Sequence, residues 1–100
     1  MIEWSRIRGF DWDDGNNRKS EDKHLVSRGE AEQVFVDPRL LVLEDAKHSA
    51  HEMRFHAYGR TASGRRLFVS FTLRQSATLV RVISCRDMSR REREQYDEEA

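Results

Sequence analysis

Between Arg60 and Arg93 the chain carries nine arginines and two acids, Asp87 and Glu92, although all 100 residues together are formally neutral with eighteen charges of each sign. Guanidinium groups hold phosphate oxygens bidentately and stay charged at any working pH, so a concentrated set of them suits a phosphate backbone. Arg54, Arg81, Arg86, Arg90 and Arg93 are the positive candidates. The competing reading is that arginines on strands and helix ends are solvated or paired with acids such as Glu44, Asp45, Asp87 and Glu94. Taken together the set favours the phosphate reading, because the C-terminal basic run offers only Met88 and Tyr96 for packing.

Four histidines, His24, His48, His51 and His56, are the candidates for proton transfer, since imidazole titrates nearest neutrality. His48 and His51 fall in a polar stretch typical of a surface loop. His24 closes a predicted helix, where the dipole favours a cation without any catalysis. Ser70 and Ser84 lack a nucleophile-elbow context and read as strand residues. The single cysteine, Cys85, lies in an apolar run and reads as a packed, inert thiol. One cysteine and scattered histidines give no zinc-type spacing, so no structural metal is expected.

These side chains must be positioned by a small domain. At 37% apolar and 36% charged, a 100-residue chain builds one domain with a thin core. No stretch approaches a membrane span and MIEWSRIRG lacks the apolar core of a signal peptide, so a cytoplasmic protein is expected. The end of the segment up to Asp11 reads as a short first strand, and NNRKSEDKH from Asn16 to His24 as a short exposed helix. Ser27 with Glu30 forms a capping box that opens a helix from about Arg28 to Val36, stopped by Asp37-Pro38. LLVLED is a strand, and MRFHAYGR a second, with Met53, Phe55 and Ala57 on one face and Arg54, His56 and Tyr58 on the other.

In the next strand Leu67, Val69, Phe71 and Leu73 share the core face, while Arg66, Phe68, Ser70, Thr72 and Arg74 share the other. TLVRVISC is apolar on both faces apart from Arg81 and Ser84, as a strand flanked on both sides would be. Arg81 therefore needs an acidic partner, with Glu44 or Asp45 as candidates, or an opening toward phosphate. Arg86, at the strand's end, reaches the same polar edge. Ser89 and Glu92 form a second capping box, opening a helix to about Tyr96 and leaving residues 97–100 as a frayed acidic tail. The expected architecture is α+β: a mostly antiparallel sheet of four or five strands, two N-terminal helices packed on one face, and a short C-terminal helix.

The order FDWDDGN, K with KH, EAEQVF, DP, LED-KHS, R with YGR, LFVSFTLR, RVIS-R and MSRREREQY resembles the BrnT family of type II toxins over about residues 9–96. The resemblance implies a RelE-like fold and a growth-arresting, mRNA-cleaving ribonuclease with no cofactor. It also implies neutralisation by a BrnA-type antitoxin, a DNA-binding protein through which any contact with DNA would be indirect. The family pattern falls on Lys23, His24, Arg54, Arg81, Arg86, Arg90, Glu92 and Tyr96. Leu25 stands where the family usually has glycine, Arg28 where it has an aromatic residue or proline, and Ser20 where it has asparagine. His24, Arg54, Arg81, Arg86 and Glu92 are then the expected catalytic set. Arg54, Arg81, Arg86 and Arg90 would stabilise charge on the phosphorane, and His24 or Glu92 would act as base. Lys23, Arg74, Arg90, Arg93 and Tyr96 would bind RNA, Tyr96 by stacking on a base or positioning phosphate. The alternative is a degenerate toxin, kept as a non-enzymatic subunit that binds the antitoxin and helps it repress DNA.

Overall fold

The computed structural model describes residues 2–99, and residues 18–22 by their backbone alone. Strands β1 (Gly9–Phe10), β2 (Leu41–Glu44), β3 (Phe55–Arg60), β4 (Arg66–Arg74) and β5 (Leu79–Asp87) form one sheet in the spatial order β1-β5-β4-β3-β2. Helices α1 (Asp14–His24) and α2 (Arg28–Val34) lie between β1 and β2, and α3 (Arg90–Glu99) follows β5. Single 3₁₀ turns occupy Trp4–Arg6 and Ala46–His48. The expected order of strand, two helices, antiparallel meander and helix is present, but β1 runs parallel to β5 and the sheet is mixed.

Helix α2 packs over β3 and β4, whereas α1 packs against β5. The composition of α1 explains its place, because DGNNRKSEDKH offers no apolar stripe and docks through hydrogen bonds instead. Where β1 stops, Asp11 N–H donates to the Val80 carbonyl, and the buried Asn16 side chain takes the next carbonyl in phase, Val82 O at 2.9 Å. The helix therefore covers an edge that a longer strand would have paired.

Beneath α2, the side chains of Phe55, Ala57, Leu67, Val69, Phe71, Val80, Val82 and Cys85 meet Val26, Ala31 and Val34 in the main core. Phe35 closes it edge-on against Phe71, ring centroids 5.0 Å apart. The expected phase of β4 is the observed one. Gly59 lets α2 lie this close, since a Cβ there would stand 2.8 Å from Val34 Cγ1 and 2.9 Å from Val34 O. Both capping boxes form, Ser27 with Glu30 and Ser89 with Glu92. Between α1 and α2, Leu25 takes a left-handed conformation at φ 55°, with its side chain exposed.

Several boundaries differ from the sequence reading by up to three residues, among them the end of α2 at Val34, and two have an evident cause. Strand β3 begins at Phe55 and not Met53, because the Met53 carbonyl accepts from the Thr72 hydroxyl at 2.7 Å. Helix α3 continues past Tyr96 to Glu99, and Asp97 pairs with Arg66 at 2.9 Å where a frayed tail was expected.

One irregularity in β5 decides which side chains share a face. Ser70 is opposite Ser84, but the next residue of β4, Phe71, is opposite Val82, so Ile83 is an extra residue. Such a bulge reverses the alternation of the strand beyond it. Arg81 lies opposite Thr72 and Arg86 opposite Phe68, so the two arginines, five positions apart, occupy one face.

Candidate functional site

The sheet face away from α2 is built of short cross-strand rows. Leu43, His56, Ser70 and Ser84 form one, and Leu41, Tyr58, Phe68 and Arg86 the next. Thr72 and Arg81 begin a third, beside Arg54, which precedes β3 in phase with His56. Helix α3 lies over this face, with Tyr96 and Met88 buried against Phe68. Between α3 and β2 it leaves a small pocket of about 60 Å³ lined by Leu41, Tyr58, Glu92 and Gln95.

Arg86 is the most tightly positioned cation. Its Nη1 and Nη2 donate to the two oxygens of Glu92 at 2.7 and 3.0 Å, Nη1 also donates to the Asp87 carbonyl, and the guanidinium lies 4.2 Å over the Phe68 ring. The bidentate bonds hold the Glu92 carboxyl below the ordinary carboxylate range, and Glu92 in turn raises Arg86. Nothing among the described residues accepts from Arg86 Nε.

The other expected residues separate. Arg81 pairs with Asp13 at 2.9 Å and Asp11 at 3.5 Å, and not with Glu44 or Asp45. It stands opposite Thr72, four positions along β4 from Phe68, which is about 13 Å at strand rise. Arg74 is bound to Glu52, and Arg90 is exposed on α3 with Glu94 at 3.4 Å. Arg93 is exposed and reaches the Met88 carbonyl. Arg54 makes no ion pair among the described residues, and Lys23 is exposed. His24, at the end of α1, neighbours Arg65 and Asp87, and Asp87 has the core-side parity of Leu67.

Tyr96 corrects an expectation. It is 2% exposed, its hydroxyl donates to Asp37, and Arg39 lies 5.8 Å over its ring, so it packs α3 onto the sheet and offers no surface for a base to stack on. Burial first, and the hydrogen bond to Asp37 second, push its phenol up to about 12. Cys85 is fully buried and its thiol is likewise pushed up to about 12 by burial, as an inert packed cysteine requires.

Sequence reasoning missed two groups. Arg65 joins Asp87 and Glu30 and donates to the carbonyls of His24 and Leu25, tying α1, α2 and β5 together. Asp45, 9% exposed, accepts on one oxygen from His48 Nδ1 at 2.9 Å and His56 Nε2 at 3.0 Å. Burial would raise its carboxyl, but the His48 hydrogen bond and the two imidazoles outweigh this and lower it. The available signal was the Asp45–His48 spacing of a capped turn. Although three potential ligands meet here, no cluster among the described residues has metal-binding geometry.

No individual curated protein matches the chain significantly. A family model does, over residues 12–92, that of the ribonuclease toxin BrnT of type II toxin–antitoxin systems. The matched span runs from Trp12, beside the Asp13 that holds Arg81, to Glu92, which holds Arg86, and so takes in strands β2 to β5. The chain belongs to the BrnT family of ribonuclease toxins.

Proposed function

We propose that the chain is a RelE-like, metal-independent endoribonuclease that cleaves mRNA on the sheet face carrying Arg86, arresting growth in the cytoplasm until a BrnA-type antitoxin covers it. The single observation that carries the reading is the Arg86 guanidinium, laid on Phe68 and fixed by Glu92, on a face that is open beyond α3. A preorganised cation of this kind stabilises charge as it builds on a phosphorane, and removing one such donor costs roughly 10²–10³ in rate. Arg54, without an ion pair among the described residues, adds a second guanidinium, while exposed Lys23, Arg90 and Arg93 track the RNA backbone. Among the described residues, no helix is long and apolar enough to cross a membrane.

The test is expression without an antitoxin, alongside Arg81→Gln and Arg86→Gln. Growth inhibition by the parent that disappears in Arg86→Gln, with an unchanged thermal midpoint and cleavage that persists in EDTA, supports the reading. A folded Arg86→Gln that remains fully toxic sinks it. The second reading, a non-enzymatic antitoxin-binding subunit, is favoured by the internal pairing of Arg65, Arg66, Arg74, Arg81, Arg86 and Arg90. It is the one that stands if the parent does not inhibit growth.

A further inference from the structure

Cleavage by the route above requires a group to take the proton from the ribose 2′-hydroxyl. Glu92 is poorly suited, because Arg86 occupies both its oxygens, Ser89 N–H adds a third bond, and all of these favour the charged, weakly basic form. His24 stands against Arg65 and Asp87, on the helix-bearing side of the sheet.

We propose that His56, oriented by Asp45, is the catalytic base of RNA cleavage on this face. The proposal rests on the ribonuclease reading and deepens it. His56 lies between Leu43 and Ser70 in the row next to that of Arg86. Its Nε2 donates to Asp45 Oδ2 at 3.0 Å, which leaves the lone pair on Nδ1. Nδ1 has no hydrogen-bond partner among the described residues and is not among the buried unpartnered atoms, so it is open to solvent. The ring is steadied by its edge-to-face contact with Phe68, centroids 4.8 Å apart. Arg86 lies 4.2 Å from that same Phe68 centroid, so base and cation flank one aromatic ring.

The pairing supplies the two functions that transesterification needs at adjacent points. His56 Nδ1 takes the 2′-hydroxyl proton as the O2′–P bond forms, Arg86 neutralises the phosphorane, and the P–O5′ bond breaks. The 5′-oxygen takes a proton from water and the imidazolium returns its own to solvent, giving a 2′,3′-cyclic phosphate and a 5′-hydroxyl. Asp45 is a positioning residue, selecting the tautomer and stabilising the imidazolium as the carboxylate of a catalytic triad does. The charged and titratable groups on the face around His56 are Asp45 and His48 from the turn after β2, Arg54 two residues before it in the chain, and Tyr58 and Arg86 around Phe68.

The experiment is cleavage of a mixed-sequence RNA transcript by the full chain between pH 5 and 9, scored by cyclic-phosphate ends. His56→Gln, which keeps an N–H for Asp45, is compared with His56→Ala and Asp45→Asn. Loss of a base of this type is expected to lower kcat roughly 10²–10⁴-fold with KM nearly unchanged, and to abolish the fall in rate on acidification. Asp45→Asn is expected to lose less and to shift that limb. A His56→Gln that cleaves at the parental rate while Arg86→Gln is inactive overturns this inference and leaves the ribonuclease reading standing. A loss matched by a lower thermal midpoint, with the pH profile unchanged, makes His56 structural and overturns it as well. A parent chain that cleaves nothing across the range overturns both.

Discussion

Glu92 grips Arg86 through both guanidinium nitrogens, so the first turn of α3 sets the angle of a side chain that β5 supplies. The same carboxylate accepts from Ser89 N–H at 2.8 Å, completing the capping box. The start of the helix and the aim of the cation are thus one structure.

Replacing Glu92 with glutamine should therefore affect both. Losing the charge weakens the cap and the ion pair, and with Arg86 more than a third exposed the stability cost is expected to be about 1 kcal/mol. RNA cleavage is expected to fall although Glu92 itself touches no substrate. Urea unfolding and cleavage assays check this, and a variant changed in only one of the two would separate the cap from the site.

Stability should decline in acid. Asp37, Asp87, Glu30 and Glu92 all have carboxyls held below their ordinary values of 3.8 and 4.5, chiefly by hydrogen bonds from Tyr96, Arg65, the Ser27 amide and Arg86 respectively; for Asp37 these overcome burial, the largest single influence, which raises it. A depressed folded pKa gives stability that is fully present above the unfolded value and lost as pH falls through the folded one. The thermal midpoint is therefore expected to be level from pH 7 to about 5 and to drop steadily below it. Glu92→Gln should flatten that slope, and a parent whose midpoint is constant down to pH 2 would contradict the assignment.

Leu25 holds φ 55° with its side chain exposed. Relieving that conformation outweighs the greater freedom of glycine in the unfolded chain, so Leu25→Gly is expected to stabilise by about 0.5–1 kcal/mol. Denaturant midpoints of the two proteins decide it, and a destabilised variant would mean that the leucine side chain makes a contact worth keeping.

Gly59→Ala should do the opposite. The added methyl would meet Val34 Cγ1 and the Val34 carbonyl below 3.0 Å, and the backbone oxygen cannot turn aside. Separating α2 from β3 to admit it is expected to cost about 1–3 kcal/mol. A thermal midpoint equal to that of the parent would show that α2 shifts freely.

The local signals were legible because each depends on neighbouring residues. Ser27 with Glu30 and Ser89 with Glu92 started helices, and the alternation of Leu67, Val69 and Phe71 gave the core face of β4. The arginines were less so, because their partners come from distant segments. Arg81 meets Asp11 and Asp13, Arg65 meets Glu30, and Arg74 meets Glu52, while Asp87, Glu92, Glu94 and Asp97 answer others, so the cluster that the sequence shows as concentrated basic charge is largely paired with acids, several of them far away in the chain. The shared face of Arg81 and Arg86 was hidden too, since strict alternation puts them on opposite faces and only the extra residue Ile83 brings them together. Asp45 beneath His56 depends on β2 and β3 being adjacent, which composition does not express.

The parallel pairing of β1 with β5 also sets an order of assembly. Asn16 must wait for Val82, 66 positions later, and Asp13 for Arg81, 68 positions later, while the meander from β2 to β5 closes through hairpins of near neighbours. Long-range closures of this kind come late, because the chain entropy is spent before the contact forms. During synthesis the segment of β1 and α1, made well before its partners in β5, is accordingly among the last to find its place. A chain released before Leu79 has neither β1 docked nor Arg86 present, so on the proposed reading a prematurely terminated product is expected to cleave no RNA.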